Sequence, residues 1–290
     1  MLCKLYVYAR AAERCFRLPE ADIVRIDVAF LPQLVSPETT MGGVCIVIDV
    51  LRATTTLTTL LACGALGVTI AADAATARAA KRDDPEAVLL GECGGLRPPD
   101  FDLGNSPRDI TPQIVTGRRV ICHTSNGTAA IRAVAAAPVV LLGCLRNATA
   151  VAVAAIAQAG RDERSITIVC SGGGGGQTFA LDDTLAAGQI VAALSAAARA
   201  TTSPIILTDA ALAAHSLCQS AIGLAQEPAH DRWTEILSRT TAGQHLTQIG
   251  LGGDIPFCAQ VDRETIVPLV RTVGGMVLAS AAMPPLGSRA

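Results

Sequence analysis

Aromatic residues are scarce in this chain. Phe, Trp and Tyr make up 3% of its 290 residues, with one Trp and two Tyr. Rings therefore cannot dominate the core, and Ala, Val, Leu and Ile must fill it. A charge excess is missing too: the net charge of −2 leaves no basic footprint for nucleic acid. No apolar run reaches bilayer-spanning length before Gly, Pro or a charge breaks it, so no membrane partner is expected. The ten cysteines form no CxxC and no zinc-type spacing with histidine. They sit in apolar runs as small hydrophobes, which points to a reducing, cytoplasmic setting. Residues 1–16 carry Lys4, Arg10, Glu13 and Arg14 and lack the continuous apolar stretch of a secretion signal.

Several phosphate-handling signatures are absent as well. The glycine run 172–176 is followed by Gln177 and Thr178, not by the Lys-Ser/Thr of a Walker loop. It does not form GxGxxG either, which disfavours a nucleotide-dependent enzyme. No cysteine is separated from an arginine by five residues, and no DxDxT occurs. Neither a cysteinyl- nor an aspartyl-phosphate intermediate is therefore signalled.

The most informative stretch is 44–65, VCIVIDVLRATTTLTTLLACGA. Its first part reads as a buried parallel strand, its second as a helix. Between them lie Asp49, Arg52 and the hydroxyls of Thr54, Thr55 and Thr56. Such turns lie at the carboxyl ends of strands, beside helix N-termini that attract anions. Helix capping by Asp49 and the threonines is the plainer reading.

The same pattern recurs. Strands at 23–31, 68–71, 86–90, 118–123, 139–143 and 165–170 are predicted from apolar runs. Several end in polar residues that open a helix: Ser125 and Asn126, Asn147, and Ser171 before the glycine run. In a parallel sheet these ends share one edge. Helices are predicted over 73–81, 148–159, 181–198, 210–223 and 231–248, loops over 36–43, 94–107 and 250–262, and a last short element over 267–278. Glu92, flanked by glycines, sits at a strand end where packing explains it poorly. Asp182 and Asp183 follow the glycine run at a helix start. The helix dipole accounts for one of them; two together suit an oxygen-ligated metal.

The fold expected is α/β, a mostly parallel three-layer sheet flanked by helices, with a second α/β lobe from the C-terminal part. Residues 1–22 would form an irregular extension, 23–200 the core and 201–290 the C-terminal lobe. Asp254 and Asp262 could reach the site from that lobe. A homodimer is suggested by the apolar composition.

DVLRATTT, GECGGLRPPDFDLGNSP, TSNGT, SGG…FALDDTLAAG and DIPFCAQVD occur in this order over residues 23–269. In this the chain resembles the 2-phosphosulfolactate phosphatase family (ComB-like). It departs from the usual pattern at Ala129, where Arg is frequent, and at Cys93. The resemblance implies a Mg²⁺-dependent phosphatase that converts 2-phospho-3-sulfolactate to 3-sulfolactate and phosphate, a reaction that leads to coenzyme M in methanogens. The site reading that follows places Mg²⁺ among Asp49, Glu92 and Asp182 or Asp183. Asp49, Arg52, Glu92 and Asp183 act as catalytic groups, with Arg52 on the transferring phosphoryl group. Thr54, Thr55, Asn105, Ser106, Ser125, Asn126, Gly127 and Asn147 hold the small anionic phosphorylated substrate. The alternative is a non-catalytic binder of an anionic metabolite, using the same backbone nests without a metal.

Overall fold

The apolar runs become strands of a single sheet. The computed structural model describes residues 23–162, 165–223, 229–273 and 276–281; the expected extension 1–22 lies outside them. The strands are β1 (Val24–Ala29), β2 (Val44–Ile48), β3 (Gly67–Ile70), β4 (Val88–Gly91), β5 (Arg119–His123), β6 (Val139–Gly143), β7 (Ile166–Cys170), β8 (Ile205–Leu207), β9 (Pro268–Val273) and β10 (Met276–Ala281). The helices are α1 (Pro37–Gly42), α2 (Ala53–Ala62), α3 (Ala74–Asp83), α4 (Pro112–Val115), α5 (Gly127–Ala133), α6 (Ala148–Asp162), α7 (Leu181–Ala200), α8 (Asp209–Ile222), α9 (Ala229–Arg239), α10 (Thr241–Gln248) and α11 (Asp254–Cys258). The strand order is β4-β5-β3-β10-β9-β6-β2-β7-β1-β8. This is the expected α/β class with a mostly parallel sheet. The C-terminal residues supply β8 at one edge and β9–β10 in the middle.

The sheet holds two parallel blocks. One is β6-β2-β7-β1-β8, the other β4-β5-β3. The β9–β10 hairpin between them pairs antiparallel internally and on both sides. Three reversals in succession make the blocks run in opposite senses. The polar strand ends therefore do not share one edge, contrary to the expectation from a uniformly parallel sheet.

They meet all the same, because the sheet curls. Side chains alternate across β2: Val44, Ile46 and Ile48 pack on one face, Cys45 and Val47 on the other. The second face is continuous with Val88 and Leu90 of β4 and Val120 and Cys122 of β5. Leu57, Leu60 and Leu61 of α2 and Ala130 and Ile131 of α5 fill this shared face. Twist of about 20–25° per strand turns β3 roughly a right angle from β2 over four steps. The two helices inside the curl then begin beside each other. Outside, α6, α7 and α8 cover the first block and α3 covers part of the second. Both faces are thus covered, as parallel strands require.

A threonine-rich helix can be buried there because its hydroxyls are satisfied locally. Thr58 and Thr59 donate to the carbonyls of Thr54 and Thr55, one turn earlier, at 2.8 Å each. Elsewhere the local reading needs adjustment. The helix expected over 231–248 breaks at Thr240, whose hydroxyl accepts the Gly243 N–H and so caps a new helix. The loop 36–43 contains α1, started by Ser36 and Pro37. The loop 250–262 contains α11, and the element 267–278 is the hairpin rather than one piece. Strand β8 was not anticipated, because only Ile205, Ile206 and Leu207 carry it.

Candidate active site

Asp49 follows β2 directly. Its Oδ1 accepts the Ala53 N–H at 3.0 Å, so it does cap α2. It is also only 6% exposed. Burial, reinforced by the charge of Glu92, pushes its carboxyl up to about 6, against the opposing pull of the Ala53 N–H, Ser171 and Arg52. The capping and functional readings are therefore compatible.

Glu92 follows β4 on the other block. Its Oε1 accepts the Ser125 N–H at 2.6 Å; its Oε2 accepts the Gly95 N–H at 2.6 Å and the Ser125 hydroxyl at 3.1 Å. Its own N–H donates to the His123 carbonyl. Glu92 thus fixes the ends of β4 and β5 together. Asn126 reaches back to the first block, its Oδ1 accepting the Gly175 N–H at 2.8 Å. Gly127 opens α5 against Asp49 and Ala53, where no Cβ would fit.

Asp182 and Asp183 open α7 after the glycine loop. Asp183 Oδ1 accepts the Val50 N–H at 2.9 Å, and its Oδ2 accepts the Ser171 hydroxyl at 2.9 Å and the Gly172 N–H at 3.2 Å. Burial, then the charges of Asp182 and Asp49, holds its carboxyl well above the usual range. Burial and the charge of Asp49 push Asp182 up to about 7. The charge of Asp49 thus contributes to raising both Asp182 and Asp183. Gly172, Gly174, Gly175 and Gly176 all have positive φ. The loop N–H groups are shared out: Gly172 donates to Asp183, Gly173 to the Thr178 carbonyl and Gly175 to Asn126.

Arg52 is 3% exposed. Its Nη1 donates to Asp254 Oδ2 at 2.7 Å and its Nη2 to the Gly95 carbonyl at 2.8 Å. Asp254 Oδ1 in turn accepts the Ser106 hydroxyl at 2.7 Å. The Asn105 carbonyl accepts the Thr56 hydroxyl, while Asn105 Oδ1 is buried without a partner.

Not every expected residue joins this group in the expected way. Thr54 and Thr55 are fully buried and donate their hydroxyls to the carbonyls of Asp49 and Val50. Asn147 is also fully buried. Its amide accepts from Cys144 N–H and donates to the carbonyls of Leu142 and Ile266. These three residues hold backbone rather than present groups to a ligand. A polar residue before a helix signals both roles alike, which is why sequence could not separate them. Asp262 likewise caps α6 through Thr149. Gly95, one of the glycines flanking Glu92, carries no role of its own in the sequence reading, yet its N–H donates to Glu92 and its carbonyl accepts from Arg52.

A family model described as 2-phosphosulpholactate phosphatase matches residues 29–272. A probable 2-phosphosulfolactate phosphatase of Gloeobacter violaceus is 34% identical, over 88% of this chain and 98% of its own. One of Thermus thermophilus is 38% identical over 86% and 94%, and one of Deinococcus radiodurans 37% over 84% and 92%. The chain belongs to the 2-phosphosulpholactate phosphatase family.

Proposed function

We propose that this protein is a Mg²⁺-dependent phosphoric monoester hydrolase acting on 2-phospho-3-sulfolactate or a close phosphorylated small acid. The observation that carries the reading is the buried acid cluster around Asp49, with Glu92, Asp182 and Asp183 converging from both blocks. Three of these carboxyls are raised by burial first and then by acidic neighbours: Asp49 by Glu92, Asp182 by Asp49, and Asp183 by Asp182 and Asp49. A cluster this unfavourable in isolation suits a cation and a reacting group. The names of the relatives supply the substrate.

Among the described residues no three acids close on one point as a ready-made metal cage. Mg²⁺ does not need one, since it takes one or two carboxylates and completes its shell with waters and phosphate. The donors present are all oxygens, which fits. Asp49 would hold the ion together with Glu92 or Asp183. Each of those two already accepts three hydrogen bonds, leaving about one lone-pair site. When bound, the ion polarises the phosphoryl oxygens and offsets the acids' repulsion.

The chain's own residues do the rest. Arg52 binds phosphoryl oxygens with the N–H bonds it does not spend on Asp254 and Gly95. The Gly172, Gly173 and Gly175 N–H groups are taken by Asp183, Thr178 and Asn126, so from the glycine loop Gly174 and Gly176 N–H are left for the remaining anionic groups. Asp182, at the start of α7 beside Asp183, orients the attacking water and takes its proton. Glu92 and Asp183 keep the loops at the angles that this requires. Phosphate release from 2-phospho-3-sulfolactate, followed with Mg²⁺, with EDTA and after Mg²⁺ add-back, tests the reading. Release that ignores EDTA removes the metal, and no release removes the substrate. Binding without release would favour the metabolite-binding alternative.

A further inference from the structure

The strongest unassigned feature is the buried ion pair between Arg52 and Asp254, residues separated by 202 positions. Both side chains are 2% exposed. A charge pair so deep contributes little stability for its desolvation cost. It does, however, fix orientation. We propose that Asp254 is a positioning residue for Arg52, setting the plane of its guanidinium so that the remaining N–H bonds face the phosphoryl group. This rests on the phosphatase reading above.

Asp254 points both of its oxygens at the protein, Oδ2 at Arg52 and Oδ1 at Ser106, so its action on the reacting group runs through Arg52. Arg52 is held from a second side by the Gly95 carbonyl, and the Gly95 N–H is held by Glu92. A continuous chain thus runs Glu92, Gly95, Arg52, Asp254, Ser106. It joins the loops after β4 and β2, the 104–106 segment and the start of α11. A guanidinium carries five N–H donors in a rigid fork. Two are spent on this cradle, which defines the plane in which the others lie. Pairing with Asp254 also weakens the field of Arg52, so affinity for an anion is lowered while geometry is gained.

That trade gives a signature that a merely structural role would not. Asp254→Asn should lower kcat roughly 10- to 100-fold, the scale of a misplaced catalytic group. KM should stay level or fall, because the field of Arg52 is no longer offset by the Asp254 charge. Ser106→Ala should move kcat the same way by less. A kcat per folded molecule equal to wild type in Asp254→Asn overturns the proposal. A second arm reads the cradle without the reaction. In Arg52→Ala, millimolar guanidinium ion should bind by calorimetry and restore part of the lost rate. In the double variant Arg52→Ala, Asp254→Asn, both effects should vanish. Equal guanidinium binding in the two variants also overturns the proposal. If the cradle binds guanidinium but the wild type releases no phosphate, the phosphatase reading fails and the positioning assignment stands.

Discussion

Gly127 lies against Asp49 so closely that a Cβ there would sit 2.7 Å from the Asp49 Oδ2. One residue opens the helix after β5, the other directly follows β2. This contact is where the two oppositely running blocks of the sheet touch. Gly127→Ala should force them apart. We expect a stability loss of about 1–3 kcal/mol, the scale of an overpacked site, and a larger proportional loss of phosphate release. Thermal unfolding and initial rates of the same preparation check both.

Glu92 ties Ser125 and Gly95 into that junction. Glu92→Gln keeps the size but turns a donor toward at least one backbone N–H. Leaving such a buried group unsatisfied costs about 1–3 kcal/mol. Asp183→Asn faces the same difficulty at Val50, Ser171 and Gly172. Both variants should lose most of their Mg²⁺-dependent phosphate release; near wild-type rates in the two would remove these acids from the site.

Much of this was legible in sequence, for physical reasons. Strands buried on both faces read as unbroken apolar runs, so β2, β6 and β7 show plainly. The acids and amides at their ends stand out because packing gives them no reason to be there. The opposed sense of the blocks was not legible, since it depends on where the β9–β10 hairpin inserts, and 267–278 carries no mark of its partners. Nor could sequence tell Asn147, which binds backbone in the core, from Asn126, which bridges the blocks. Both simply precede a helix. The link from Arg52 to Asp254 is a tertiary fact between segments far apart in the chain.

Asn147 offers a direct contrast. Its amide is spent on the backbone of residues 142, 144 and 266. Asn147→Ala should lower the unfolding temperature, with each orphaned buried group costing about 1–3 kcal/mol. KM for the phosphorylated substrate should not change. A raised KM at unchanged stability would return Asn147 to the ligand.

The acid cluster also sets a pH dependence. Asp49, at about 6, and Asp182, at about 7, both lie above the ordinary value of 3.8. Between those values the folded state binds more protons than the unfolded state, so stability falls as pH rises. Asp84, lowered by Arg119, and Asp100, lowered by Arg78, act in the opposite sense but below this window. Chelator-treated protein should therefore unfold at a higher temperature near about pH 5 than near about pH 8. Added Mg²⁺ should raise the unfolding temperature more at the higher pH, where the acids are ionised. A flat profile, or stabilisation by Mg²⁺ only at low pH, contradicts the cluster as described.

The most direct test is a single comparison of phosphate release from 2-phospho-3-sulfolactate by wild type and Asp49→Asn, each with saturating Mg²⁺. The charge of Asp49 raises both Asp182 and Asp183, so the wild type should turn over and the variant should lose at least about 100-fold, as expected for removing a group that holds the reacting centre. Equal rates in the two proteins, with the variant folded, would contradict the account.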